Sequence, residues 1–443
     1  MSRSNSVSST KININSFLNY LIPSKSLLFF LCIIILSFLS CSPAKRFPDS
    51  EEKIDKGEKL EKEELSGTES NFSEVRVQLN GLIPSESLLI ESPVYLLNQE
   101  IKIAFVKTGN TINCYQKNGN VSLMINGETF DGEKFFLISS GTEEIIKING
   151  KRYRGKIQIS SSANSVDIIN VVNMEDYVKG VLAKEMPLGK NEENFEALKA
   201  LAICIRTYAV KKMKDGKIYF DLYADTRDQV YGGADAESPI SNKAVEETKS
   251  MILKYNGSQA IIFYHSTCGG KTESSQNVFT KESVSYLAGV EDGSEPYCKI
   301  SSRYEWTESY SRELLIDRLK SYSILSNEKY VLEDISILSR FDSGRVNEME
   351  IIVASENGEK KSIIIKGNEI RNIIRTADGK NILWSTLFDL TLNSNNVKLT
   401  GKGYGHGVGL CQWGAIALSR KGWNYEEILN HYYPGTEIGN LND

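Results

Sequence analysis

The sequence predicts an α+β protein: a β-rich N-terminal region followed by a mixed α/β core that carries a glycine-rich groove. Three observations predict it. Between residues 74 and 170, short alternating or wholly apolar runs are punctuated by Asn126-Gly127, Asp131-Gly132 and Asn149-Gly150, the turn chemistry of hairpins. From Asn194, apolar residues recur at three- and four-residue steps, the period of a helix with one buried stripe. Near the C-terminus, glycine occupies five alternate positions from Gly401 to Gly409. Such a backbone reaches conformations closed to other residues.

Taken in order, the chain begins with an export signal. Residues 27–40, LLFFLCIIILSFLS, follow Arg3, Lys11 and Lys25. The run is too short for an ordinary membrane span and suits the apolar region of a signal. It ends Phe38-Leu39-Ser40-Cys41, which resembles a bacterial lipobox, with Phe38 where Leu is usual. On that reading Cys41 is lipidated and anchors the exported chain to a membrane; an uncleaved signal anchor is the alternative. Residues 41–72 are dense in Lys and Glu and poor in large apolar side chains. They bury too little to offset ordering entropy and read as a flexible tether. The chain thus divides into signal (1–40), tether (41–72), β-rich region (73–165) and core (166–440). Its net charge of −5 over 443 residues argues against a nucleic-acid partner.

The β-rich region holds no glycine-rich phosphate loop and no metal-spaced His or Cys, so scaffold and ligand platform are its sensible roles. The core opens differently. Glu185 lies among Val181, Leu182, Ala183 and Met186, immediately before Pro187 in Glu185-Met-Pro. A carboxylate there either pairs with a cation or has its pKa raised, because burial disfavours its charged form. A raised carboxyl is what acid catalysis on a sugar bond needs. The plain alternative is a partly exposed Glu in a helix's last turn. The helix that follows buries Phe195, Leu198, Ala202, Ile205 and Ala209, and Asp215-Gly216 stops it. Arg206, near the stripe's edge, either pairs with a buried acid or faces solvent.

Residues 260–270 deliver His265 and Cys268 to a Gly-Gly loop, with Cys298 thirty residues on. Three readings stay open: a zinc site using His265, Cys268 and Cys298, a Cys268–Cys298 disulfide, or a polar loop with reduced cysteines. Residues 304–400 alternate without a catalytic constellation. The alternate glycines then flank Tyr404 and His406 and open into a helix over 412–419; Asn424 and Glu427 cap the next. The pattern is neither a Walker loop nor a dinucleotide fingerprint. A groove where backbone approaches an extended polymer suits it better.

Three blocks, in order, resemble the SpoIID/LytB family, the stage II sporulation protein D and amidase-enhancer relatives. They are Tyr177-Val-Lys-Gly-Val with Glu185-Met-Pro, Glu196-Ala-Leu-Lys-Ala and Arg206-Thr-Tyr-Ala; Asp228-Gln-Val-Tyr-Gly-Gly233 with His265-Ser-Thr-Cys-Gly-Gly; and Gly403-Tyr-Gly-His-Gly-Val-Gly with Gln412-Trp-Gly and His431-Tyr-Tyr-Pro-Gly-Thr. Cys411 stands where the family usually has Ser, and Trp384 where Lys is common. The resemblance implies an exported protein acting on peptidoglycan glycan strands, in one branch a lytic transglycosylase. It places the catalytic Glu at Glu185, and Arg206, Tyr404, His406 and Gln412 are expected to bind substrate. No cofactor is needed for that chemistry, but zinc in some relatives favours a structural zinc at the His-Cys segment. An amidase or another wall hydrolase is the implied partner.

One carboxyl suffices for such a reaction. Hydrolytic glycosidases usually use two, and Glu185 has no evident second acid, since Glu175 falls on another side of the helix. As a transglycosylase acid, Glu185 protonates the glycosidic oxygen of a MurNAc–GlcNAc bond; its carboxylate then deprotonates the muramic C6 hydroxyl, which closes a 1,6-anhydro ring. The alternative is a non-catalytic glycan-binding or amidase-enhancer module on a surface lipoprotein. A purely structural lipoprotein leaves the glycine segment without a purpose.

Overall fold

In a computed structural model, residues 72–162 and 165–441 are described; the signal, Cys41 and nearly all of the tether lie outside the described residues. The β-rich region is built on a seven-stranded sheet. Its spatial order is Leu222–Tyr223, Glu74–Gln78, Ser165–Asn173, Lys156–Ser162, Lys134–Ser139, Val94–Asn98 and Ile101–Val106. Neighbours run antiparallel except the first pair, which is parallel. The strand Ser165–Asn173 is buried from Val166 to Val172, which explains its unbroken apolar run: both faces are covered.

Hairpin turns follow the Asn-Gly pairs. Asn126-Gly127 and Asn149-Gly150 both take positive φ at each position, the geometry of a type I′ turn, which matches strand twist. Asp131-Gly132 instead ends the strand Glu128–Gly132 and makes no such turn. Residues 72–162 and the core share one hydrophobic cluster, from Val75 in the front sheet to Tyr433 near the C-terminus. A second cluster, from Trp306 to Leu399, belongs to an inserted unit of two three-stranded sheets and the helices Arg312–Ser321 and Glu369–Ile374.

The helix Met174–Glu185 leads straight out of the central strand. The Asn173 side chain caps it by accepting from the Glu175 N–H at 2.9 Å. It stops at Glu185 because Met186 precedes a proline and adopts extended backbone (φ −137°, ψ 137°). The long helix Phe195–Lys214 packs against it and buries Ala197 to Val210 almost throughout. No helix among the described residues is long and apolar enough to cross a membrane.

Candidate functional site

Proline thus fixes Glu185 at a helix C-terminus, where backbone carbonyls already make the potential negative. Its side chain is half-buried. Oε1 accepts the Val230 N–H at 2.7 Å. Burial holds the carboxyl above the usual range, while the Val230 N–H and the Gln412 side-chain amide pull it back. Every donor on this carboxylate is neutral. Behind it, Tyr177 Oη donates to Gln229 Oε1 at 2.8 Å, and Gln229 Nε2 donates to Tyr264 Oη at 2.9 Å. Four separate segments therefore meet: the helix end, the loop at 229–230, the strand Tyr264–His265 and the start of the helix Gln412–Arg420.

Gln412 is the one expected substrate residue that touches Glu185. Arg206 does not. It is fully buried and makes a fork to Glu175, Nε to Oε1 at 3.0 Å and Nη2 to Oε2 at 2.6 Å, with Nη1 on the Met251 carbonyl. That contact also explains why Glu175 is no second acid for Glu185. His406 is walled by Phe263 and Phe279, and both its ring nitrogens are engaged, Nδ1 by the Val408 N–H and the other by the Tyr264 carbonyl. Burial, with Arg371 nearby, pushes it down to about 3, so the ring is neutral.

The glycine segment departs from its expected role as an open groove. A Cβ on Gly409 (φ +70°) would lie 2.0 Å from the Phe263 carbonyl oxygen, and one on Gly407 (φ +89°) would lie 2.5 Å from Arg345 Cζ. The close approach these glycines permit is to the protein's own strand and to a buried arginine. A cavity of about 950 Å³ lies between the loops at 269–271 and 291–296 and the inserted sheet at Glu305–Ser311 and is lined by Gly401 at the start of the glycine segment; another, of about 290 Å³, lies beside Asn173–Asp176.

A second constellation adjoins the first. Ligand atoms of Cys268, Asp292, Cys298 and Cys411 all lie within 4.8 Å of one another, and all four residues are buried. This is a candidate metal cluster with three sulfurs and one carboxylate, a closed four-donor set of the kind that holds structural zinc. The cysteines are free, Cys268 and Cys298 with sulfurs 3.5 Å apart. The Cys298 thiol is drawn down by hydrogen bonds from Cys268 and Cys411, and burial pushes Asp292 up to about 7. Backbone N–H groups of Cys268 and Gly414 point at Cys411 Sγ, which caps the helix Gln412–Arg420.

His265 stands outside this group. Its Nδ1 faces the Val408 carbonyl at 3.1 Å, and Nε2 is buried without a partner. Of the expected zinc ligands, Cys268 and Cys298 fall in this cluster and His265 does not, while Asp292 and Cys411 complete it. Cys411 was visible only as a departure at a Ser position, and it sits 143 residues from Cys268, beyond any spacing rule. Gln229 fell inside a block that carries the family resemblance but was given no role, and nothing in the sequence marked Asp292 or Tyr264.

Known proteins resemble this chain over most of its length. A family model described as "Stage II sporulation protein" matches residues 162–255, and one described as a domain of unknown function (DUF8618) matches 297–409. An uncharacterized protein of Brachyspira hyodysenteriae is 30% identical over 84% of this chain and 95% of its own length. The amidase enhancer of Bacillus subtilis is 31% identical over 67% of this chain, which spans only 45% of the enhancer. Stage II sporulation protein D of Bacillus subtilis is 27% identical over 64% of this chain and 82% of its own length.

Proposed function

The chain belongs to the SpoIID/LytB-like family, amidase-enhancer homologues included, and on that premise we propose that it engages the glycan strands of peptidoglycan in support of a partner wall hydrolase. The observation that carries this reading is the likeness to an amidase enhancer over two thirds of the chain. The lipobox reading of Cys41 adds a membrane tether on the exported side, and detergent partitioning of wild type against Cys41→Ser tests it: equal partitioning removes the anchor.

A specific observation favours a second reading, in which the protein also cuts the strand. Glu185 is a half-buried carboxyl held above its usual range by burial and fixed only by neutral donors. Such a group holds its proton to higher pH than an ordinary carboxyl and can give it to a glycosidic oxygen, then accept one from the muramic C6 hydroxyl as the anhydro ring closes. Gln412 and the Val230 N–H steady the carboxylate between the two steps. Activity then falls as pH rises through the raised pKa, because the first step needs the protonated form.

One experiment separates the readings. Purified protein is incubated with peptide-free glycan strands, alone and with a wall amidase, and products are read by mass spectrometry. Faster amidase turnover without anhydro-muramyl ends supports the enhancer; anhydro ends from the protein alone support cleavage. In the second case Glu185→Gln removes them by about 10²–10⁴-fold while strand binding survives. Neither stimulation nor cleavage overturns both.

The metal cluster is read as structural. Zinc fits Cys268, Asp292, Cys298 and Cys411, and when bound it supplies folding energy by tying the loops at 268 and 292–298 to the start of the helix Gln412–Arg420. Elemental analysis of protein purified without chelator is expected to find about one zinc per chain. A Cys268–Cys298 disulfide with no metal overturns it.

A further inference from the structure

The seven-stranded sheet ends, at one edge, in the strand Leu222–Tyr223, which the loop 216–221 joins to the long helix Phe195–Lys214. Arg76 pins that loop. Its Nη1 and Nη2 donate to the carbonyls of Ile218 and Lys217 at 3.1 and 2.9 Å, and its guanidinium pairs with Asp221 at 2.7 Å. The backbone is held, yet the side chains face solvent. Ile218 is 82% exposed, more than any other large apolar side chain among the described residues, and Tyr219 is 47% exposed. Phe220 is half-buried against Tyr223, with ring centres 4.8 Å apart. Lone exposed apolar residues need no explanation. Three in a row on a pinned backbone do.

Cations ring this tip. Lys217 Nζ lies 5.0 Å from the Phe220 ring centre and 4.6 Å from that of Tyr223, and the Arg227 guanidinium lies 3.7 Å from the latter. Lys211, Lys212 and Lys214 occupy the last turn of the helix just before. The acids nearby are already paired: Asp215 with Lys211, Asp221 with Arg76, Asp225 with Arg227, and the buried Asp228 with Lys212 and Lys217. Lys214 is exposed, has no ion pair among the described residues, and stands 5.2 Å from the ring centre of Phe72. Phe72 is the first described residue, so the chain coming from Cys41 enters the fold beside this tip.

We infer that Ile218, Tyr219 and Phe220, with Lys214 and Lys217, form a docking tip for the surface of an anionic lipid bilayer, a second contact beyond the N-terminal anchor. Aromatic and aliphatic side chains flanked by lysines suit a lipid interface: the apolar groups enter the headgroup boundary while the ammonium groups stay among the phosphates. So small a surface binds weakly alone. The inference rests on the membrane-tether reading of Cys41, on which the roughly thirty residues up to Phe72 span about 30 Å as an unstructured chain. Tethering at that range makes the contact intramolecular, at an effective concentration of about millimolar, so a weak contact suffices. The anchor retains the protein, and the tip orients it. The opposite sheet edge, Ile101–Val106, also exposes Ile101, Ile103 and Phe105, but it lies about 29 Å away at the usual strand spacing.

The test reconstitutes the full chain into vesicles of phosphatidylglycerol and acyl-brominated phosphatidylcholine, and follows tryptophan quenching together with flotation in high salt. Ile218→Trp should be quenched well beyond the four native tryptophans of wild type. Ile101→Trp, at a position 68% exposed on the far edge, should not. Lys214→Gln in the Ile218→Trp background should weaken the contact about fivefold, and omitting phosphatidylglycerol should weaken it further. Flotation without selective quenching, equal quenching at positions 101 and 218, or indifference to phosphatidylglycerol overturns the tip and leaves the tether reading standing. Salt-reversible quenching of Ile218→Trp without flotation supports the tip and removes the tether. Neither signal overturns both. If Ile218→Ser instead lowers binding to peptide-free strands and lipid quenching is absent, the tip belongs to the glycan and the lipid assignment falls.

Discussion

The helix Met174–Glu185 carries a glutamate at each end, and the two have opposite fates. Glu175, in the first turn, is held in a two-pronged grip by Arg206, which is buried completely. Glu185, in the last, meets only an amide N–H and a glutamine. Residue type and helix are shared, and the partner decides. A carboxylate neutralised by a guanidinium is a fastener. One that is desolvated without a cation stays reactive toward protons.

Mutation can break this contrast. Its largest expected break is Arg206→Met, which strands Glu175 against the protein interior and should cost about 3–5 kcal/mol in denaturant unfolding. Adding Glu175→Gln should return much of the loss, because the orphaned charge goes with it. If Arg206→Met alone is nearly neutral, the pair is no fastener. A smaller effect tests the helix start itself: Asn173→Ala removes the cap and should cost about 1 kcal/mol.

The subtlest test concerns the other end and runs in the opposite direction. The Glu185 pKa is higher folded than unfolded, so its stabilising share is complete below the unfolded value and is lost as pH rises through the folded one. Glu185→Gln should therefore match wild type near pH 4 and become the more stable protein near pH 8. Unfolding curves at the two pH values check it, and a gap that fails to open with pH would return Glu185 to the role of a surface residue.

Periodicity and turn chemistry made much of the fold legible. The apolar run at 166–172 is a central strand, two of the three Asn-Gly or Asp-Gly pairs make hairpin turns, and the helix Phe195–Lys214 carries its stripe inward. Asp131-Gly132 failed because both residues are still paired, with Ser122 and Val121 of the neighbouring strand, and a turn dipeptide need not turn where pairing holds it extended. Glu185 could be singled out because an acid among apolar residues before proline is a local signal. Of its companions only Gln412 was singled out, through the family resemblance; Gln229 and Tyr264 join it only through tertiary packing. Arg206 and His406 were placed in the right blocks but face inward, as periodicity alone cannot tell a buried ion pair or a caged imidazole from a ligand-facing group. The insert, read as alternation without chemistry, turned out to have a core of its own and to deliver Trp384 and Arg371 to the glycine segment.

Cys411 and Gln412 are consecutive residues, one closing the thiol cluster and the other steadying Glu185. Both reach their stations by a short parallel pairing with the strand Tyr264–His265, laid down long before them along the chain. Contacts of such sequence separation form late and slowly. A chain emerging from a ribosome or a translocation channel therefore has neither constellation until almost all of it has been delivered. Both then arrive together, with the same turn of helix. Assembly order becomes a safety interlock: a truncated or half-delivered copy carries the acid and the thiols but not the residue that organises either.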